Sequence, residues 1–183
     1  MAFYTGKGDA GYTGLIGEER VAKDSPRIEA LGVLDEAISA MGLGRALAMR
    51  PQSKPLLVRL QRELSMIAAE VAAPEPNSLA DRISAEHVIS LEVDIDELGK
   101  EICAPFAFIV PGDSPGSGAL HLARATVRRA ERRVSALYHQ GELANEQLLR
   151  YLNRLSSLLF LLARADDQAA GVTVPTPMRE QRE

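Results

Sequence analysis

The sequence predicts an all-α fold, a five-helix bundle with an irregular N-terminal loop attached. Three observations carry that expectation. Five long stretches repeat apolar residues every three or four positions, the helical period. Aromatic residues make up only 4% of the chain and tryptophan is absent, so the core must come from aliphatic side chains, which interlock along helical seams. Strand-like alternation is confined to one short piece around Phe108, and no internal repeat or domain-sized linker divides the 183 residues. A chain of this length fits one domain and buries about 70% of its unfolded surface. The parts expected are a loop over 1–24, a bundle over 25–170 and a tail over 171–183.

Residues 4–14, YTGKGDAGYTG, hold too much glycine for a helix and too little regularity for a strand. Gly6, Gly8, Gly11 and Gly14 let a ligand approach backbone N–H groups closely. Thr5 and Thr13 add hydroxyls, and Lys7 adds charge. This is not a P-loop, because the G-x-x-x-x-G-K-[ST] spacing is missing. No strand–turn–helix context makes it a dinucleotide fingerprint either. The stretch alone reads equally as a flexible terminus or as a ligand loop. Lys23 follows in an extended polar stretch, within reach of whatever the loop holds.

Ser25-Pro26 starts the first helix, with serine as N-cap and proline at the first helical position, and the helix runs to about Met49. Ile28, Leu31, Ile38 and Met41 mark its apolar face. Asp35 falls on that face, either as a buried carboxylate that needs an arginine partner or as a boundary residue touching water. PQSKP (51–55) is a turn, and Leu57, Leu60, Leu64, Ile67 and Val71 continue the seam in a second helix. PEPNSLAD (74–81) ends it. Ser84 caps a third helix that carries Val88, Leu91, Ile95, Leu98 and Ile102, with Glu92, Asp94, Asp96 and Glu97 as a solvated face. His87 and His139 read as surface residues, and no His/Asp/Glu cluster has metal-ligand spacing.

APFAFIVPGDSPGSG (104–118) interrupts the helices with a short extended piece running into a turn. Its Phe106 and Phe108 are half of the four phenylalanines, either a plug on the bundle end or an aromatic wall for a flat ligand. ALHLARATVRRAERRV (119–134) then forms the fourth helix, ending near Gly141. Leu120, Ala123, Val127, Ala130, Val134 and Leu137 are its seam. Beside the seam Arg124, Arg128 and Arg132 stand four residues apart on one face, with Arg129 and Glu131 at its borders. Such a row is either a solvated basic face or a set of half-desolvated guanidinium groups that require carboxylates or phosphates. The fifth helix, from about Asn145, carries Leu148, Leu152, Leu155, Leu159 and Leu162, with Asn153 and Arg154 in its middle. Asn153 needs a hydrogen-bonding partner in a neighbouring backbone or a ligand. After Gly171 the tail reads as loosely held.

The formal charge of −4 argues against a general nucleic-acid binder, which is expected to be basic. The one cysteine, Cys103, excludes an internal disulfide and suits a reducing compartment. No apolar run approaches the roughly 20 residues that span a bilayer, and the N-terminus lacks signal-peptide regions. A cytoplasmic protein without membrane contact is expected.

Taken together, YTGKGDAGYTGL (4–15), KDSPRIEALGVLDE (23–36), FIVPGDSPGSGALHLARATVRRAERRV (108–134) and YLNRLSSLLFLLAR (151–164) closely resemble the PduO-type ATP:cob(I)alamin adenosyltransferases, in order and at the usual separations. The most specific part is R-x-x-x-R-R-x-E-R followed by Y-L-N-R-L-S. The resemblance implies a homotrimer with an active site at each subunit interface. It implies transfer of the 5′-deoxyadenosyl group of ATP to cob(I)alamin, with Mg²⁺ on the nucleotide and triphosphate released. Thr5, Gly6, Lys7, Gly8, Thr13 and Gly14 would wrap the nucleotide and Lys23 would reach its phosphates. Arg128, Arg129, Glu131 and Arg132 would meet the triphosphate, the magnesium shell or the ribose, and Asn153 would complete the pocket. Asp35 would pair with Arg124 across the interface, and Phe108 would sit against the corrin face, displacing the lower ligand of cobalt. A flavin-type reductase and adenosylcobalamin-dependent enzymes are the further partners implied. Cob(I)alamin is itself a strong nucleophile, so the lack of a catalytic His or Cys constellation is no objection. A non-catalytic carrier of nucleotide or adenosylcobalamin on the same fold is the alternative. The C-terminal tail departs from the family pattern in lacking an aromatic lid.

Overall fold

The computed structural model describes residues 4–16, 20–73, 81–102, 109–172, 176 and 178. Two short strands, β1 Tyr12–Thr13 and β2 Val21–Ala22, pair antiparallel and precede five helices. The helices are α1 Pro26–Leu47, α2 Ser53–Ala72, α3 Ala85–Glu101, α4 Pro115–His139 and α5 Gln147–Ala169. The expected all-α bundle is therefore found, and α4 lies at its centre. It packs on α1 and α5, while α2 flanks α1 and α3 flanks α5. Arg59 on α2 pairs with Asp94 on α3, and the Tyr151 hydroxyl on α5 donates to Glu63 on α2, so polar contacts close the far side.

The seams are as the period requires. Leu120, Ala123, Val127, Ala130, Val134 and Leu137 on α4 are all buried, as are Leu148, Leu152, Leu155, Leu159 and Leu162 on α5. Helix–helix approach is close where side chains vanish: a Cβ on Gly44 of α1 would stand 2.8 Å from Leu120 Cδ2. Ser25 caps α1, its Oγ accepting from the Ile28 N–H at 3.4 Å.

Several elements differ from the sequence reading. The fourth helix begins at Pro115, inside what reads as a turn, because Ser114-Pro115 repeats the cap-and-proline start of α1. Gly116 sits there for want of space: an added Cβ would lie 2.0 Å from Asp166 Oδ2. Asp166 is fully buried and accepts from the N–H groups of Met49 (2.7 Å) and Arg50 (3.1 Å) through Oδ1. Beside it, Ser114 Oγ donates to Asp167 Oδ1 at 3.0 Å, and Arg164 donates to Asp167 Oδ2 at 2.7 Å. This buried cluster, missed in the sequence, locks the start of α4 to the end of α5.

The acidic face of α3 is only partly solvated, since Glu92 pairs with Arg154 and Asp94 with Arg59. His87 is half-buried rather than on the surface, and its Nδ1 accepts from the Ser84 N–H at 3.1 Å, capping α3. The tail is not loose at Thr176, whose N–H and hydroxyl donate to Asp113 and whose carbonyl accepts from Val110. Cys103, Phe106 and Phe108 lie outside the described residues. Among the described residues no helix is long and apolar enough to cross a membrane.

Candidate functional site

The loop before α1 is a folded turn rather than a free end. Gly6 and Gly11 take φ of +68° and +80°, the left-handed region that glycine enters without strain. Asp9 N–H donates to Gly6 O at 3.2 Å, Gly11 N–H to Gly8 O at 3.1 Å, and Lys23 N–H to Gly11 O at 2.9 Å. The Thr5 hydroxyl accepts from Lys7 N–H at 3.4 Å. Lys23 lies against Gly8: a Cβ there would stand 3.0 Å from Lys23 Nζ. A side chain at position 8 would push the ammonium group aside by a few tenths of an ångström. Beyond the turn, Thr13 and Gly14 line a cavity of about 580 Å³ together with Ile28, Leu31, Gly32 and Asp35 of α1.

Asp35 is exposed in the single chain, so the buried alternative does not hold there. Its carboxylate stands at that cavity and pairs with no described residue of the same chain.

On α4 the arginines separate into two sets. Arg129 pairs with Glu36 and Arg133 with Glu29, both on α1. Arg124, Arg128 and Arg132, one turn apart, have no ion pair among the described residues. Arg124 is half-buried and its Nε finds no hydrogen-bond acceptor. Burial, then the like charge of Arg128, pushes its pKa below the usual arginine value. Three stacked cations, one of them partly desolvated, form a site for an anion.

Arg124 and Arg128 line a second cavity, of about 520 Å³, whose other walls include Ile95 and Lys100 of α3 and Ser156, Phe160 and Leu161 of α5. Phe160 packs its ring edge-on to His121 at 5.8 Å between centroids. His121 is buried with neither ring nitrogen hydrogen-bonded, and burial, reinforced by Arg124, lowers its pKa. Between α5 and α4, Asn153 Nδ2 donates to Glu131 at 3.1 Å while its Oδ1 accepts from Arg154 at 3.3 Å.

The structure thus groups the residues singled out in the sequence. Gly8 meets Lys23, Thr13 and Gly14 share a cavity with Asp35, Arg124 shares one with Arg128, and Glu131 meets Asn153. The cavity beside the loop and the cavity beside the arginines share no lining residue within one chain. Phe108 lies outside the described residues. Phe160, Leu161 and His121 escaped the sequence reading, since a Phe inside LLFLL and a His on a helical seam look like core. The contact of Arg154 with Asn153 has no signature in the sequence pattern.

A family model described as Cobalamin adenosyltransferase matches residues 3–166. The chain belongs to the cobalamin adenosyltransferase family. Among relatives, it is 41% identical over 172 residues to the corrinoid adenosyltransferase PduO of Citrobacter freundii, covering 93% of this chain and 51% of that protein. It is 40% identical over 176 residues to the corrinoid adenosyltransferase of Bacillus subtilis, covering 94% and 90%. It therefore spans about half the length of the PduO relatives and nearly all of the Bacillus subtilis one. In structure it is similar to a variant PduO-type ATP:corrinoid adenosyltransferase from Lactobacillus reuteri complexed with cobalamin and ATP, with TM-score 0.88, 29% identity, and coverage of 98% of this chain and 100% of the other. A variant of the Lactobacillus reuteri enzyme complexed with ATP gives TM-score 0.87 at 30% identity, covering 97% and 100%.

Proposed function

We propose that this member of the cobalamin adenosyltransferase family transfers the 5′-deoxyadenosyl group of ATP to cob(I)alamin and releases triphosphate. The observation that carries the reading is the unpaired row Arg124, Arg128 and Arg132 beside a cavity walled by Phe160 and Leu161. Positive charge for a polyphosphate stands next to apolar surface for a macrocycle. The Lactobacillus reuteri protein complexed with cobalamin and ATP supports the pairing of these two ligands.

Each residue has a task that follows from the chemistry. The cobalt nucleophile forms a bond to the 5′ carbon of ribose as the bond from that carbon to the triphosphate oxygen breaks. No proton moves, so no general base is needed. The departing triphosphate gathers negative charge, and Arg128, Arg132 and Lys23 stabilise it most where water is excluded. Loop N–H groups and the Thr5 and Thr13 hydroxyls hold the nucleotide, and Glu131 with Asn153 fixes its orientation, which brings carbon and cobalt into line. Arg129 contributes to the phosphates only if it leaves Glu36. Magnesium would be carried in on phosphate oxygens and water. The Phe160 and Leu161 wall of that cavity would receive part of the corrin, and Phe108, which directly precedes the buried Ile109, would keep the lower cobalt face free of ligand.

A complete site needs two copies of the chain. The loop cavity with Asp35 and the arginine cavity are separate in one chain, and an exposed carboxylate and an unpaired half-buried guanidinium are the complementary halves of an ion pair. A homotrimer with Asp35 of one subunit on Arg124 of the next satisfies both. The reading also includes a cytoplasmic location and a flavin-type reductase supplying electrons. The test is to mix the full chain with Mg²⁺-ATP and chemically reduced cobalamin. A light-sensitive alkyl–cobalt product in a one-to-one ratio with triphosphate is expected. ATP binding without product would replace the enzyme by a carrier.

A further inference from the structure

Arg20 lies outside every role assigned above, yet it organises the loop. Its Nη2 donates to the carbonyl of Tyr12 at 2.8 Å and also to the carbonyl of Lys7. These two carbonyls sit on opposite arms of the glycine turn, so one guanidinium group ties the arms together. A trans peptide plane sets its C=O and the following N–H on opposite sides. Drawing the Lys7 carbonyl toward Arg20 therefore turns the Gly8 N–H away from it. That N–H donates to no other group among the described residues. Gly8 is also where the Lys23 side chain rests. The clamp thus fixes a free backbone donor and an ammonium group beside each other.

We propose that Arg20 is a positioning residue for nucleotide binding, acting through the Lys7 and Tyr12 carbonyls to hold the Gly8 N–H and Lys23 in place. It shapes the loop before the nucleotide arrives and touches no phosphate itself. Charged donors to carbonyls are among the stronger hydrogen bonds, and a preformed loop lowers the ordering cost of binding. The inference rests on the loop being the nucleotide-binding element.

The experiment compares the full chain with Arg20→Gln, Arg20→Lys and Lys23→Ala, reading steady-state kinetics for ATP and cob(I)alamin and amide exchange of residues 4–13 without nucleotide. Arg20→Gln should raise KM for ATP roughly 10-fold, leave kcat and the corrinoid KM within about twofold, and speed exchange in the loop at least about fivefold. Arg20→Lys, which still donates to carbonyls, should recover part of both effects. Unchanged exchange in Arg20→Gln would overturn the clamp even if KM rose. So would an unchanged KM for ATP while Lys23→Ala raises it. If Lys23→Ala also leaves KM for ATP unchanged, the loop assignment itself fails and the clamp with it. Equal losses toward both substrates with a lowered melting temperature would overturn it in favour of a general stabilising role.

Discussion

Asn153 on α5 donates to Glu131 on α4 at 3.1 Å while accepting from Arg154. Both ends of the amide are occupied, so its orientation is determined, and the pair bridges the two helices beside the arginine row. In Asn153→Ala this bridge is lost while the buried seams stay intact. KM for ATP should rise about 10-fold, the effect of losing one hydrogen bond to a charged partner, with helical circular dichroism unchanged. Unaltered ATP kinetics would remove Asn153 from the nucleotide pocket.

Asp35 is exposed in one chain, and Arg124 is half-buried without an acceptor on Nε. Joined across an interface, each supplies what the other lacks. Asp35→Asn leaves the Arg124 charge uncompensated and should weaken subunit association or turnover by at least ~10-fold, as breaking a desolvated pair does. Sedimentation and kinetics read the two effects. A variant with native assembly and full activity would separate these residues.

Phe160 walls the cavity beside Arg124 and Arg128. Phe160→Ala removes apolar surface that the corrin would cover, so KM for cob(I)alamin should rise roughly 10-fold and KM for ATP should not change. The reverse pattern in a kinetic comparison would assign the cavity to the nucleotide.

His121 is buried, flanked by Arg124 and Arg164 and by Asp113 and Asp167, with its pKa below the ordinary 6.5 chiefly through burial. Between its folded pKa and 6.5 the unfolded chain binds the extra proton, so stability falls as pH drops through that window. The slope contributed is at most about 1.4 kcal/mol per pH unit. Thermal midpoints from pH 5 to 8 should show a steeper acid-side decline for the native chain than for His121→Gln. Parallel curves would mean that His121 protonates without cost in the fold.

How far the sequence reveals the molecule depends on where the information lies. The seams of α4 and α5 were readable because a 3.6-residue period maps directly onto one buried face. The arginine row followed from the same period. The start of α4 at Pro115 is hidden by the glycines around it, of which Gly116 serves packing against Asp166 rather than a turn. Asp166 and Asp167 at the end of α5 gave no signal, because a buried carboxylate is recognised by partners distant in sequence, here Met49 and Ser114. Phe160 and His121 were masked by their apolar neighbours. Asp35 stands on a helix face patterned like a core, yet it is exposed in the single chain, and a pattern alone does not separate the two cases.

The central claim, that the loop of one copy and the arginine row of another make one nucleotide site, is tested most directly by complementation. Lys23→Ala and Arg128→Ala are each expected to lose turnover heavily, at least ~100-fold for Arg128→Ala. Co-expressed in equal amounts in one trimer population, they should regain about a quarter of native activity, since each interface draws its loop and its arginines from different subunits. A mixture as inactive as either variant alone, with mixed trimers demonstrated by mass, would contradict it.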